Sequence, residues 1–383
     1  MSILIPYQQL SEEQKAVVRR VSRSDNSLYV EGPAGSGKTL ISMYAVKDLI
    51  ESEAGSILFL MYNHSLLGYL RTAIQELGVV NGATIATKDK FFWDLARKDI
   101  NGIQDIINSN EPYDFKYIKI LNRTQALIDI NNIFDIVIVD EVQDISIQEL
   151  NLIKRIGKKV LALGDFNQGI YETDMTQAIM EQIGDHEKLS TVFRYHIEIA
   201  KIANNFTNRD LTSLVKSGNG VTPKIIDVPT NNVNEEIANV LDSLKARKTR
   251  VGVICPDREL LKALKSYLDI RGIDNVYYEK NINFKNHDFT SNVPLLVSSF
   301  SAKGLEFESV IVFGFNKFNP SIQKLEFKKM LKEVIFVSLT RCNSDLFVIR
   351  SPEEHELIKG IKVETNAKQI ESVDDLLNDL LSL

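Results

Sequence analysis

Eight consecutive residues, Gly32-Pro33-Ala34-Gly35-Ser36-Gly37-Lys38-Thr39, have the spacing G-x-x-x-x-G-K-[ST]. Glycines at these positions let the backbone N–H groups of Ala34, Gly35, Ser36 and Gly37 turn inward and surround phosphate oxygens. A helix starting near Lys38 adds the positive end of its dipole. The Lys38 ammonium is then placed to reach the terminal phosphates of ATP, and the Thr39 hydroxyl to ligate Mg²⁺. A glycine-rich turn before any helix is the competing reading. The flanks decide against it: an apolar run, Leu28-Tyr29-Val30, precedes the loop and a helix-like run, 40–50, follows.

A second run, Ile136-Val137-Ile138-Val139-Asp140-Glu141, is an apolar strand ending in two acids. Ligands of α/β sheets sit at the carboxyl ends of strands, so both acids should face the phosphates. Asp140 is expected to hold Mg²⁺, and Glu141 to orient and deprotonate the attacking water. Gln143 and Asp144 follow directly. A third strand, 160–163, runs into Gly164-Asp165-Phe166-Asn167-Gln168, where a glutamine can bond a γ-phosphate; without further context this is an ordinary turn.

Positioning such groups requires alternating strands and helices. Apolar runs at 27–30, 56–61, 133–139, 159–163, 251–255 and 310–313 predict strands buried on both faces. Amphipathic stretches at 39–51, 197–206 and 259–268 predict helices between them. The fold class is therefore α/β with parallel sheets. At 383 residues the chain suits two domains. The boundary is expected near 190–220, giving domains of 1–195 and 196–351 and an acidic tail at 352–383, with a small insertion at about 89–130 in the first domain.

Composition is that of an ordinary soluble protein, with 44% hydrophobic and 25% charged residues. No apolar run approaches the ~18 residues of a membrane span, and the N-terminus does not read as a secretory signal. Cys255 and Cys342 form no CxxC, so a reduced, cytoplasmic setting without structural zinc is expected. The net charge of −6 excludes a broad basic coat for nucleic acid. Residues 352–383 carry −5 of it, leaving the rest nearly neutral, as suits a motor that must release its track.

Taken in order, these runs resemble the motifs of the UvrD/Rep/PcrA helicases of superfamily 1. LSEEQKAV (10–17) resembles the adenine-reading Q motif, with Gln14 as its glutamine; VIVDEVQD (137–144) and GDFNQGIY (164–171) resemble motifs II and III. TVFRYHIEI (191–199) resembles motif IV, SSFSAKGLEF (298–307) motif V and VSLTRC (337–342) motif VI. The resemblance implies two tandem RecA-like domains with ATP and Mg²⁺ between them and single-stranded DNA, or a tailed duplex, across their tops. It further implies Gln168 and Arg194 at the γ-phosphate, Arg341 as an arginine finger, Phe193 near the adenine, and Gly304 and Glu306 among the nucleotide contacts. Both arginines are expected from the far side of the cleft, where they complete the set begun by Lys38. Tyr62, Asn63, Tyr171, Ser298 and Phe300 are the implied strand contacts.

The chain also departs from that family. Phe300 stands where motif V carries a histidine, Asn63 where a threonine is usual, and no aromatic follows Tyr171 to stack on a base. Tyr62, Phe92 and Trp93 could substitute, although each also reads as a core residue. Only 271–293 has room for an insertion in the second half. These trims leave two functions in view: an ATP-dependent translocase or helicase, and a regulatory ATPase that senses nucleic-acid ends or nucleotide for a partner such as a nuclease, in DNA repair or antiviral defence. An unrelated P-loop ATPase or kinase leaves KGLEF and DEVQD unexplained. Basic clusters at Lys324, Lys328, Lys329 and Lys332 and at Lys245, Arg247, Lys248 and Arg250 read either as strand paths or as solvated faces. The leucines of the tail form an amphipathic pattern that packs on the core or docks on a partner.

Overall fold

The structure, a computed structural model, describes residues 4–62, 64–79, 82–97, 100–127, 130–165, 183–216, 222–278 and 291–363. The chain builds two six-stranded, wholly parallel sheets. The first contains β1 (Leu28–Glu31), β2 (Ile57–Met61), β3 (Ala83–Thr87), β4 (Phe134–Asp140), β5 (Gly157–Gly164) and β6 (Asp185–Lys188), in the order β3-β2-β4-β5-β1-β6. The second contains β7 (Lys224–Asp227), β8 (Val251–Cys255), β9 (Val276–Tyr277), β10 (Leu295–Ser298), β11 (Phe307–Val312) and β12 (Cys342–Arg350), in the order β7-β12-β11-β8-β10-β9. This is the α/β architecture with parallel sheets that the strand pattern predicts, and its two sheets are consistent with the pair of RecA-like domains that the resemblance implies.

Period-two alternation explains why the central strands read as continuous apolar runs. In β4, Ile136 and Ile138 enter the core on one face of the sheet while Val137 and Val139 enter the core on the other. In β11, Val310 and Val312 face one way and Ile311 the other. One apolar cluster is shared by the two lobes: it runs from the first sheet through helix Ile197–Ala203 to helix Leu331–Leu339 of the second. Phe59 of β2 is fully buried. Truncation by Phe59→Ala should cost about 3–5 kcal/mol, read as a lowered urea midpoint of the first lobe's unfolding.

The helices of the first lobe are α1 (Glu12–Arg23), α2 (Lys38–Glu51), α3 (His64–Glu76), α4 (Lys88–Ala96), α5 (Ile100–Asn108), α6 (Tyr113–Ala126) and α7 (Ile147–Ile156). Capping boxes start α1, at Ser11 with Gln14, and α7, at Ser146 with Glu149. The expected insertion at 89–130 consists of α4 to α6. After β6 the chain does not cross at once to the second sheet. Val192 pairs with Val215, and Arg209 bonds Glu31 at the end of β1, so 192–215 folds back on the first lobe before β7 begins. The expected second-half insertion falls partly, and the leucines of the tail wholly, outside the described residues.

Candidate nucleotide site between the two sheets

Gly35 and Gly37 hold φ of +83° and +87°, a region closed to most side chains, so the loop can curl above the end of β1. Gly37 is the N-cap of α2 and no side chain caps that helix, which leaves its first-turn N–H groups for a ligand. Ser36 Oγ is buried with no hydrogen-bond partner among the described residues. The Lys38 ammonium donates to the carbonyls of Gly32 at 2.7 Å and Pro33 at 3.1 Å. Burial pushes its pKa down, against the pull of Glu141, Asp165 and Asp140. A phosphate would relieve that burial by supplying charge where two carbonyl dipoles now stand in. Lys38→Ala should therefore weaken nucleotide binding, seen by fluorescent-nucleotide titration, and lower turnover ~10²–10³-fold.

Thr39 Oγ1 donates to Asp140 Oδ2 at 2.7 Å, joining the loop to the end of β4. One hydroxyl and one carboxylate, with phosphate and water, form the hard oxygen set that Mg²⁺ prefers, so the residues fit that ion. Among the described residues no cluster of three or more His, Cys, Asp or Glu side chains provides an all-protein metal cage. Glu141 follows at φ +58°, a left-handed conformation that is strained for a side chain and turns it toward the cleft. Burial and Glu141 raise the Asp140 pKa. Burial opposes ionisation of Glu141 too, but Lys303 and Lys38, with a hydrogen bond from Gln143, outweigh it and lower its pKa. The cations on either side thus favour the ionised form of Glu141, as a base requires.

Gln143 fixes this arrangement. Its amide N–H donates to Glu141 and its carbonyl accepts from the Asp165 N–H at 3.1 Å, so it bridges the ends of β4 and β5. A Cβ at Gly164 would fall 2.6 Å from the Gln143 oxygen, which is why β5 must end in glycine. Gln168 and Tyr171 lie outside the described residues, as does Asn63.

The second lobe closes the site. Glu141, Lys38, Arg194 and Arg341 line one cavity of about 300 Å³ with Gln14, Ala34, Gly35, Gly37, Thr39, Phe193, Gly304 and Glu306. Arg341 lies between helix Leu331–Leu339 and β12, 3% exposed, bonded through Nε to the Val337 carbonyl at 3.1 Å and through Nη2 to Thr340 Oγ1 at 3.3 Å. Among the described residues it has no ion pair with a carboxylate within 4 Å, unlike Arg194 and Lys303 beside it. Burial and the neighbouring Arg194 push its pKa down. A guanidinium keeps its proton all the same, so the strain amounts to a demand for an anion in the cavity.

Arg194 corrects an expectation. It does not arrive from the far lobe. The Phe193 N–H bonds the Gly35 carbonyl at 2.9 Å, and Arg194 Cβ lies 2.8 Å from where a Cβ on Gly35 would stand, so its backbone rests on the phosphate loop. Its guanidinium reaches across instead, bonding Glu306 of the second lobe through Nε at 2.9 Å. A second ion pair crosses the seam in the opposite sense: Lys303 Nζ donates to Asp144 Oδ2 at 2.6 Å. Lys303, Asp144 and Gln143 are site residues to which the sequence reading assigned no role, although KGLEF and DEVQD contained them.

Gln14 lines the cavity and makes a further contact that its place in the Q motif does not announce. Its Nε2 donates to the Ser36 carbonyl at 2.8 Å and its Oε1 accepts from the Ser11 N–H at 2.9 Å, so it braces the phosphate loop as well as lining the cavity. An apolar wall is made by Ile5, Leu10, Met43 and Tyr69, of which only Leu10 lies in a motif the sequence displays.

A second groove of about 730 Å³ opens between α4 to α6 and the second lobe, lined by Tyr62, Trp93, Tyr113, Tyr278 and Phe300 with Lys90, Arg97, Lys116 and Arg258 and the acids Asp89 and Asp94. Tyr62 is 50% and Phe300 45% exposed. Trp93 and Tyr113 stack at 6.5 Å, with Arg97 6.0 Å from the Trp93 ring. Phe92, in contrast, is fully buried core. Ser298 is 4% exposed and its hydroxyl bonds Ser301, which removes it from the groove surface; it caps the turn that carries Phe300 and Lys303.

A glycine cradle on a helix N-terminus, a Thr–Asp pair and an acidic strand end define a P-loop nucleotide-binding protein. Residues 9–219, more than half the chain, match the AAA domain family, and the chain belongs to it. Among solved structures it is similar to the C-terminal domain of a possible DNA helicase from Lactobacillus plantarum, at 17% identity over 44% of this chain and 94% of that one, with a TM-score of 0.35. It is also similar to arterivirus nonstructural protein 10, a helicase, at 13% identity over 88% of this chain and 62% of that one, TM-score 0.41. The complex of that viral helicase with DNA gives 14% identity, 90% and 65% coverage and a TM-score of 0.42. Likenesses this distant transfer nothing of activity. No curated protein matches the chain. No helix among the described residues is long and apolar enough to cross a membrane.

Proposed function

We propose that this protein is an ATP- and Mg²⁺-dependent motor on single-stranded DNA, a compact relative of the UvrD/Rep/PcrA group of superfamily 1, working in the cytoplasm. The observation that carries the reading is the convergence of Lys38, Arg194 and Arg341 on one cavity between two sheets, with Glu141 beside them. A triphosphate there neutralises cations from both lobes, so hydrolysis and lobe closure become one event.

In this reading the loop N–H groups and Lys38 hold the phosphates, and Thr39 and Asp140 hold Mg²⁺. When bound, the ion offsets phosphate charge and fixes the triphosphate's orientation. Glu141 takes the proton of the attacking water while Gln143 fixes its carboxylate. Arg341 meets the charge that develops on the transferred phosphoryl group. The domain assignment, 1–195 and 196–351, is part of this proposal, with the returning segment 192–215 as the joint.

The aromatic groove supports the choice of ligand. The exposed rings of Tyr62, Tyr113 and Phe300 can stack on any base, and Lys90, Arg97, Lys116 and Arg258 outnumber Asp89 and Asp94 beside them, which suits a single strand held without sequence preference. The decisive measurement is steady-state ATP hydrolysis with and without oligo-dT. Stimulation that rises with salt-sensitive strand binding supports the motor; hydrolysis indifferent to any strand removes it.

A further inference from the structure

Lys88 opens α4 and is 7% exposed; Glu149, in the first turn of α7, is 2% exposed. Lys88 Nζ lies 2.6 Å from Glu149 Oε1, and Tyr117 donates its hydroxyl to the same oxygen at 2.8 Å. The ammonium also sits 5.3 Å from the centre of the Tyr62 ring and 5.1 Å from that of Tyr117. Asp89, at 3.3 Å, is the other acid beside it. A buried ion pair adds little to stability over apolar residues of the same shape, so its value lies in where it holds its neighbours.

Those neighbours connect the two sites. Tyr62 is a wall of the aromatic groove. Glu149 Oε2 accepts the Ser146 N–H at 2.7 Å and so sets the start of α7, two residues beyond Asp144. Asp144 holds Lys303 of the second lobe, whose charge acts on Glu141. Lys303 shares the turn capped by Ser298 with Phe300, the opposite wall of the same groove. Tyr62, Lys88, Glu149, Ser146, Asp144, Lys303 and Phe300 thus form a chain with both ends in the groove and its middle beside the hydrolytic carboxylate.

We infer that the Lys88–Glu149 pair is a positioning device that transmits occupation of the groove by a single strand to the Asp144–Lys303 ion pair beside Glu141. The inference rests on the proposed motor function. A base stacking on Tyr62 displaces its ring against the Lys88 ammonium. That shift passes through Glu149 to the start of α7 and resets where Lys303 stands relative to Glu141.

The test uses the full chain and oligo-dT, comparing basal and strand-stimulated hydrolysis for Lys88→Met, the charge-balanced double variant Lys88→Met with Glu149→Gln, and Lys88→Arg. The double variant leaves no lone buried charge, so thermal melting near that of the parent separates signalling from unfolding. Basal kcat should persist, and stimulation by oligo-dT should fall ~5-fold or more in both Met variants, the low end of coupling between sites. Strand affinity by anisotropy should change less than stimulated kcat, and Lys88→Arg should restore stimulation. Full stimulation in the folded double variant overturns the inference while leaving the motor reading intact. A parent protein that ignores oligo-dT overturns the motor reading itself, and the inference with it.

Discussion

Arg341→Ala should lower kcat for ATP about 10³-fold or more while leaving nucleotide binding within a few-fold of the parent. The size follows from what an arginine supplied across a cleft contributes to phosphoryl transfer. The asymmetry between binding and turnover follows from its environment. Arg341 is buried beside Arg194 and, among the described residues, bonded to a carbonyl and a hydroxyl, so its charge is incompletely balanced until negative charge builds up on the transferred group. Binding is shared among the phosphate loop, Lys38 and Arg194, and survives its loss. Single-turnover chemistry and equilibrium nucleotide titration on one preparation read the two effects separately. An unchanged kcat would remove Arg341 from the reaction.

Glu141→Gln is expected to stall hydrolysis by ~10²–10⁴-fold, the worth of a positioned general base, with ATP retained. The amide keeps the shape of the side chain, but Gln143 then faces an amide that can present a donor where the carboxylate only accepted. Lys303 and Lys38 also lose the anion whose charge they lower the pKa of, so the stalled protein should hold ATP more tightly than the parent. Isolating the protein with ATP intact after a long incubation with Mg²⁺ would display this; turnover at the parental rate would reassign the base.

Much of the first sheet's active edge is legible in the residues, because its chemistry is local. The phosphate loop, the β4 acids and the flanking helix each occupy one contiguous run whose residue types admit few alternatives. The central strands are legible for the same reason, since burial on both faces leaves only Val, Ile and Leu. β6 is not: Asp-His-Glu-Lys contains no apolar residue, and it is a strand because β1 offers it a free edge and Arg20 pairs with Asp185. β3 and β9 also lie at sheet edges, where short, half-buried strands leave a weak pattern. Arg194 is misplaced by linear reasoning because its motif lies after the last strand of the first sheet. The Leu189 N–H on the Glu31 carbonyl and the Phe193 N–H on the Gly35 carbonyl keep its backbone on the near lobe, and no residue type announces those bonds. Ser298 is likewise spent on a local bond, to Ser301, that spacing does not reveal.

The two ion pairs across the seam run in opposite directions. Arg194 offers a cation from the first lobe to Glu306, and Asp144 offers an anion from the same lobe to Lys303. Each face therefore presents one plug and one socket, and these four groups give it no net charge. Such a coupling barely attracts at a distance, but a sideways slip of one lobe would bring like charges together. The opposed pairs therefore specify one register between the two faces rather than adding a general attraction.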